Sequence, residues 1–225
     1  MSCNVDFYYF TVSPPSRAVW MTLEELGIKY NEHIVDISKG EHKTADYKKI
    51  SFRQKVPAIK DGDLCLAESR AIAAYLVSEY GAQQKKQYLY PQESKLRAKI
   101  DQHLYIGENI FDQIQAYVNV GGVLFRGEKT RLEKVDEAKA ALGSIEFMLE
   151  DHAYTAGDKL TIADFFYYIA IQLLSLTDFD EFDKFPKVVE WKKKMQSLPY
   201  HKKTCDEPMT KFRQYYQHVL SSKKE

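Results

Sequence analysis

The chain has 225 residues, 44% apolar and 28% charged, with Lys+Arg and Asp+Glu equal at 32 each. That balance suits one large or two small globular domains. It gives no general electrostatic ground for binding nucleic acid or an anionic membrane, and no apolar run approaches the ~20 residues of a spanning helix. The N-terminal MSCNVDF lacks a basic region followed by an apolar one, so no signal peptide is expected. Cys3, Cys65 and Cys205 form no CxxC pair and no metal-ligand spacing, which points to a reduced, cytoplasmic protein without a metal.

In chain order, Val5–Phe10 reads as a buried strand of residues that suit a pleated sheet. It ends in Ser13-Pro14-Pro15-Ser16, where a helix begins with Val19, Leu23 and Leu26 on one face and Gly27 as its stop. Residues 28–37 read as a second strand. The charged stretch EHKTADYKKI is either a short helix or an irregular turn. Residues 55–66 are a hairpin around Asp61-Gly62, a pair suited to positive φ. Pro57 within it marks an edge or a bend, and Val56-Pro57 is a candidate for the cis form. Residues 68–80 form a helix with Ile72, Tyr75, Leu76 and Tyr80 on one side. The order β-α-β-(α)-β-β-α is that of a thioredoxin-like domain.

Gly81 to Pro91 breaks every pattern, and beyond it the strand signal disappears. The expected division is residues 1–81, a linker at 82–91, and an all-helical part at 92–225. Helical periodicity runs over 92–120 until Gly121-Gly122 and over 128–152, with Gly157 as the break. The strongly apolar 161–176 is expected to run through the middle of the helical half. Pro186 opens a further helix, and another spans 207–221. Thr161-Ile-Ala-Asp164 matches a capping box with Asp for the usual Glu, with Leu160 and Phe165 placed as a staple; its reading is structural.

Three signals bear on chemistry, and each has a plainer alternative. Ser13 and Ser16 occupy the turn where redox proteins of this fold carry cysteines, so disulfide exchange is excluded there. A hydroxyl at the helix start can instead hold a substrate thiolate, or Ser13 is simply an N-cap ahead of Pro14. Glu68-Ser69 opens a helix whose free N–H groups suit a carboxylate, or Glu68 only complements the helix dipole. The backbone of Val56 beside Pro57 can pair with a peptide ligand as an added strand does, or the proline only blunts an edge. Tyr105, Phe111 and Tyr117, six apart, line either the helical core or an apolar pocket.

Taken together, VDFYYFTVSPPSRAV, KVPAIKDGDLCLAESRAIAAYL and LTIADF resemble the cytosolic glutathione S-transferases over nearly the whole chain. SPPSRAV, KGEH and ESRAI are most similar to the serine-type delta, epsilon and theta branch. The resemblance implies an α/β N-terminal thioredoxin-like domain (βαβαββα) plus an all-α C-terminal domain, usually as a homodimer. It implies that Ser13 activates the thiol of glutathione. Val56, before Pro57, would pair with the cysteinyl part, and Glu68, Ser69 and Arg70 would hold the γ-glutamyl end. His42 would lie near the glycine carboxylate, as would Gln54 and Lys55, where relatives often have histidine and a small residue. The sequence ISFRQ also departs from the asparagine-proline turn of many relatives.

Glutathione would thus be a co-substrate, with no metal, attacking small apolar electrophiles in detoxification. Val12, Tyr105, Ile106, Phe111 and Phe212 are candidate walls of the electrophile pocket. Two other classes stand beside this reading. One is a non-enzymatic ligand-binding or structural relative. The other is a glutathione-dependent peroxidase or isomerase on the same site. A thiol transferase would need a cysteine at position 13 or 16.

Overall fold

The computed structural model describes residues 5–222, so Cys3 lies outside the described residues. The chain divides into two compact units, Met1–Arg97 and Ala98–Glu225.

The first unit is built on strand β1 (Val5–Tyr9). Alternate residues Val5, Phe7 and Tyr9 are buried, as the two-residue period of a strand requires. Helix α1 (Pro14–Leu26) returns the chain to β2 (Tyr30–Ile34), which runs parallel to β1 with Val5 opposite Tyr30. Gly27, at φ 66, ends α1 by donating to the Leu23 and Glu24 carbonyls, which glycine does at little steric cost. β2 is shorter than the expected 28–37. Ile28 and Val35 are buried at its two ends, while Asn31 to Ile34 lie exposed on the sheet edge. Asp36 then starts a tight turn by accepting from the Ser38 N–H.

A single 3₁₀ turn at Ile37–Lys39 follows, and the charged stretch EHKTADYKKI resolves into a second, Glu41–Lys43, and a short helix, α2 (Ala45–Ile50), capped by Thr44 accepting from the Tyr47 N–H. The hairpin consists of β3 (Ala58–Asp61) and β4 (Leu64–Ala67), with Gly62 at φ 57 in its turn. The sheet order is β2-β1-β3-β4, with β3 antiparallel to both its neighbours. Helix α3 (Ser69–Tyr80) is tied to the hairpin by the hydroxyls of Tyr75 and Tyr80, both donating to Asp61. This is the thioredoxin-like arrangement implied by the element order.

Residues 82–91 are not a bare spacer. They carry a 3₁₀ turn at Gln87–Leu89 with Leu89 fully buried. Lys86 and Tyr88 both reach Glu25 on α1.

The second unit is helical. Helix α4 (Ser94–Val118) begins in the last residues of the first unit and continues as the first helix of the second. It stops at Asn119, held at φ 57, and not at Gly121-Gly122, which lie inside α5 (Val120–Arg126). Asparagine tolerates the left-handed region because its short polar side chain bonds locally. Here that side chain donates to Glu128 and to the Lys129 carbonyl.

Helix α6 (Val135–Met148) is shorter at both ends than the expected 128–152, because residues 126–131 are taken up by an ion-pair loop. It ends well before Gly157. Helix α7 (Ile162–Gln172) is buried on every side from Ile162 to Ile171, as an all-round apolar helix must be. Helices α8 (Pro186–Gln196) and α9 (Glu207–Ser221) follow, separated by a π-helical turn at Lys202–Asp206.

The capping box at Thr161 is present and larger than the sequence suggests. Asp164, fully buried, accepts from the N–H and hydroxyl of Thr161, from the N–H and hydroxyl of Thr155, and from Trp191 Nε1. Burial pushes its carboxyl up, against the pull of the threonine donors. Among the described residues no helix is long and apolar enough to cross a membrane.

Candidate active site

The strand register fixes where the candidate residues of the first unit gather. β1 pairs antiparallel with β3 with Tyr8 opposite Ala58, and β3 pairs with β4 with Ala58 opposite Ala67. The exit of β1, the entry to β3 and the exit of β4 therefore share one end of the sheet. Ser13, Val56-Pro57 and Glu68-Ser69 leave or enter the sheet at that end.

Ser13 is the residue before α1. Its backbone is extended (φ −68, ψ 120), and its hydroxyl makes no capping bond. The chain turn is closed by main-chain bonds instead, Ser13 N–H to the Phe10 carbonyl at 2.9 Å and Arg17 N–H to the Ser13 carbonyl at 3.0 Å. An ordinary helix start also presents several unpaired N–H groups. Here Pro14 and Pro15 occupy the first two positions and have none. Ser16 supplies the remaining first-turn N–H, and its hydroxyl is turned inward to accept from Phe10 N–H at 3.5 Å, with the residue fully buried. The half-buried Ser13 hydroxyl is thus the polar group that this helix start offers outward.

Residues 51–57 are held by side chains that sequence reading passed over. Buried Ser51 and Tyr47 both donate to the Lys55 carbonyl, at 3.0 and 2.9 Å. The Gln54 N–H donates to the Ser51 carbonyl at 2.8 Å, with Gln54 at φ 54. The Val56-Pro57 bond is cis, the isomer for which the sequence made it a candidate. The backbone N–H and C=O of Val56 take no hydrogen-bond partner among the described residues. Pro57 is buried and the Lys55 side chain is exposed.

Glu68 adopts φ 69, ψ 108, a conformation rare for any residue with a Cβ. Such backbone costs of the order of 1–3 kcal/mol and gathers at functional sites. Gln54 and Glu68 are two of four non-glycine positions with positive φ among the described residues, the others being Lys85 and Asn119. Glu68 does not cap α3. Its carboxylate reaches across to Arg53, 2.5 Å away, and both side chains are about half exposed. Ser69, 8% exposed, and Arg70 form the first turn of α3, which carries no acidic residue. Arg53 was missed as a site residue; the signal available was its place in ISFRQ, directly before the candidate Gln54.

His42 lies in the turn before α2, and no hydrogen bond among the described residues joins it to segment 51–57. Its Nδ1 is buried without a partner, and burial, helped by Lys43, lowers its pKa. Of the candidate pocket residues, Val12 is half-buried in the first unit. In the second, Tyr105 is 76% exposed, Ile106 and Phe111 are half-buried, and Phe212 is buried edge-to-face against Tyr216. Tyr117 is buried in the helical core. No cluster of side chains able to hold a metal ion occurs among the described residues.

Comparison with known proteins bears on this geometry. The N-terminal domain model of the glutathione S-transferases matches residues 7–84, and their C-terminal domain model matches residues 94–199. Glutathione S-transferase D7 of Drosophila melanogaster is 32% identical over 192 residues, 84% of this chain and 83% of that protein. An epsilon-class glutathione S-transferase of the housefly, Musca domestica, superposes with a TM-score of 0.88 at 29% identity, over 96% of this chain and 98% of that one. A glutathione transferase homologue of Drosophila mojavensis, solved with bound glutathione, gives 0.85 at 32% identity over 98% of both chains. With both domain models matched in order and the fold shared over nearly its full length, the chain belongs to the glutathione S-transferase family.

Proposed function

We propose that this protein is a glutathione transferase that binds glutathione at the shared sheet end and uses the Ser13 hydroxyl to hold its sulfur as the thiolate. The observation that carries the reading is the Ser13 hydroxyl left free of capping duty at a helix start whose first two residues lack N–H groups. A free thiol has a pKa of about 8.5, so only a few per cent is thiolate near neutrality. A hydrogen bond from Ser13, with the positive end of the α1 dipole behind it, favours the charged form. A depression of ~2 units corresponds to ~2.7 kcal/mol. Ser13 then stabilises charge and is not itself the nucleophile. The sulfur attacks the electrophilic carbon, and the leaving group departs with its electron pair.

Each remaining residue has a role in this proposal. Val56 N–H and C=O pair with the cysteinyl backbone as an added strand does, with Pro57 fixing where that backbone points. The Glu68 carboxylate takes the α-ammonium of the γ-glutamyl end, while Ser69, Arg70 and the N–H groups opening α3 take its carboxylate. Lys55 and Gln54 face the glycine carboxylate with His42. Val12, Tyr105, Ile106, Phe111 and Phe212 are proposed to meet small apolar electrophiles, and the working form is proposed to be a cytoplasmic homodimer.

The test is conjugation of glutathione to an aryl halide by the wild type and by Ser13→Ala, with the thiol pKa read in the binary complex. Equal rates and an unshifted pKa would remove Ser13 from the mechanism. Retention on immobilised glutathione without turnover would point to a binding protein instead.

A further inference from the structure

One peptide group in the first unit is gripped on one side and open on the other. The carbonyl of Lys55 accepts from the Tyr47 hydroxyl on α2 at 2.9 Å and from the hydroxyl of Ser51, the residue that ends α2, at 3.0 Å. The N–H of the same group is that of Val56, which takes no hydrogen-bond partner among the described residues. The Lys55–Val56 bond is trans, and a trans peptide group is planar with its C=O and N–H on opposite edges. A carbonyl oxygen has two lone pairs to fill. Two donors therefore saturate it, fix the plane and leave the Val56 N–H on the edge away from α2. Both donors are held from behind. Tyr47 is buried, its ring lies edge-to-face with Tyr8 at 6.3 Å, and its N–H donates to the Thr44 hydroxyl at 3.2 Å. Ser51 is fully buried, and its N–H donates to the Tyr47 carbonyl at 2.8 Å. Burial pushes the Tyr47 phenol up to about 12, so it remains a donor across the working pH range.

We propose that Tyr47 and Ser51 are positioning residues for glutathione, which grip the Lys55 carbonyl and thereby aim the Val56 N–H at the cysteinyl carbonyl of the ligand. The inference rests on the reading that glutathione lies along Val56. Neither hydroxyl touches the ligand, and both act through the peptide plane. Hydrogen bonds accepted by a carbonyl also polarise its amide and strengthen the N–H as a donor. The segment ISFRQ lacks the asparagine-proline turn of many relatives, and these two hydroxyls supply the restraint in its place.

The test is titration of the wild type, Tyr47→Phe, Ser51→Ala and Ser51→Thr with glutathione, read as Kd, as the thiol pKa in the complex and as hydrogen exchange at the Val56 amide. Tyr47→Phe and Ser51→Ala each leave one donor on the Lys55 carbonyl, so both should fold. Each should raise Kd about three- to tenfold, the scale of one hydrogen bond. Ser51→Thr keeps the hydroxyl and should stay within about twofold of the wild type. The thiol pKa should remain at the wild-type value in all three, because Ser13 belongs to the start of α1. Glutathione should slow exchange at the Val56 amide in the wild type and slow it less in Tyr47→Phe and Ser51→Ala. A purely structural role would lower their unfolding midpoints while Kd and Val56 protection stayed at wild-type values. That outcome would overturn the inference and leave the glutathione site standing, whereas a wild type that fails to bind millimolar glutathione would overturn both.

Discussion

The backbone N–H of Phe10 donates to the hydroxyl of Ser16 across 3.5 Å, and Ser16 is fully buried. That relationship separates two serines that look interchangeable in SPPS. One is spent inside the turn, and the other is left at its mouth.

The two serines should therefore fail differently. Ser13→Ala should fold normally and lose roughly 10- to 100-fold in kcat/KM near pH 6.5, the share that a ~2-unit thiol shift supplies. The sign follows from the thiolate: activity is present above the bound thiol's pKa. Loss of the stabilising hydroxyl raises that pKa and moves the acidic limb of the pH–rate profile upward. Ser16→Ala should keep its pH profile and lose about 1 kcal/mol of stability, because the Phe10 N–H is left without its acceptor. Unfolding midpoints beside pH–rate curves decide both.

At the γ-glutamyl end, Glu68 is expected to matter more than the arginine that pairs with it. Glu68→Gln removes the countercharge for the ammonium and should raise KM for glutathione about tenfold, with kcat less affected. The Arg53–Glu68 pair is about half exposed on both sides. Arg53→Gln should therefore change KM less than ~3-fold, as surface pairs contribute little. A larger effect of Arg53→Gln than of Glu68→Gln in steady-state kinetics would reverse these roles.

The sequence carried the element order well because its signals are local. A proline pair after an aromatic strand, Asp61-Gly62 in a hairpin and Thr161 three residues before Asp164 each declare themselves within a few residues. Boundaries that depend on distant partners were less legible. The end of α4 looks as though Gly121-Gly122 should set it, yet Asn119 does, because Glu128 and the Lys129 carbonyl wait to receive its carboxamide. Leu89 reads as part of a polar spacer until Glu25 is seen to anchor its neighbours. In the proposed site, Ser13, Val56 and Glu68 each had a plainer local reading, and the family resemblance is what singled them out. Arg53 and Ser51 were not singled out, since their work is to hold Glu68 and the Lys55 carbonyl across a turn that spacing alone does not close.

The buried carboxylate of Asp164 should dominate the stability of the helical unit. Asp164→Asn keeps the shape but turns an NH₂ group toward a set of donors. It should cost about 3–5 kcal/mol, the range for breaking a buried charged network. Thr161→Ala, which removes one donor and the cap, should cost about 1 kcal/mol. Denaturant midpoints at a common slope measure both. If Asp164→Asn were milder than Thr161→Ala, Asp164 would be a replaceable cap and not the anchor of Thr155, Thr161 and Trp191.

The loop after α5 offers a pH test. Glu128 accepts from Arg126, Asn119 and Arg131, and these partners hold its carboxyl down at about 2, below the ordinary 4.5. A carboxylate with a depressed folded pKa adds stability above its unfolded value and loses it as pH falls through the folded one. The Glu128 contribution should then be complete above about pH 4.5, fade between there and about pH 2, and vanish below. Thermal unfolding of the wild type and Glu128→Gln should differ at pH 6 and converge toward pH 2, with the gap shrinking in high salt because the pairs face solvent. The same loop also explains Gly122, where an added Cβ would overlap the Asn119 carboxamide that Glu128 receives. Gly122→Ala should mimic Glu128→Gln at pH 6 and, unlike it, remain destabilising at pH 2, since a steric overlap does not titrate.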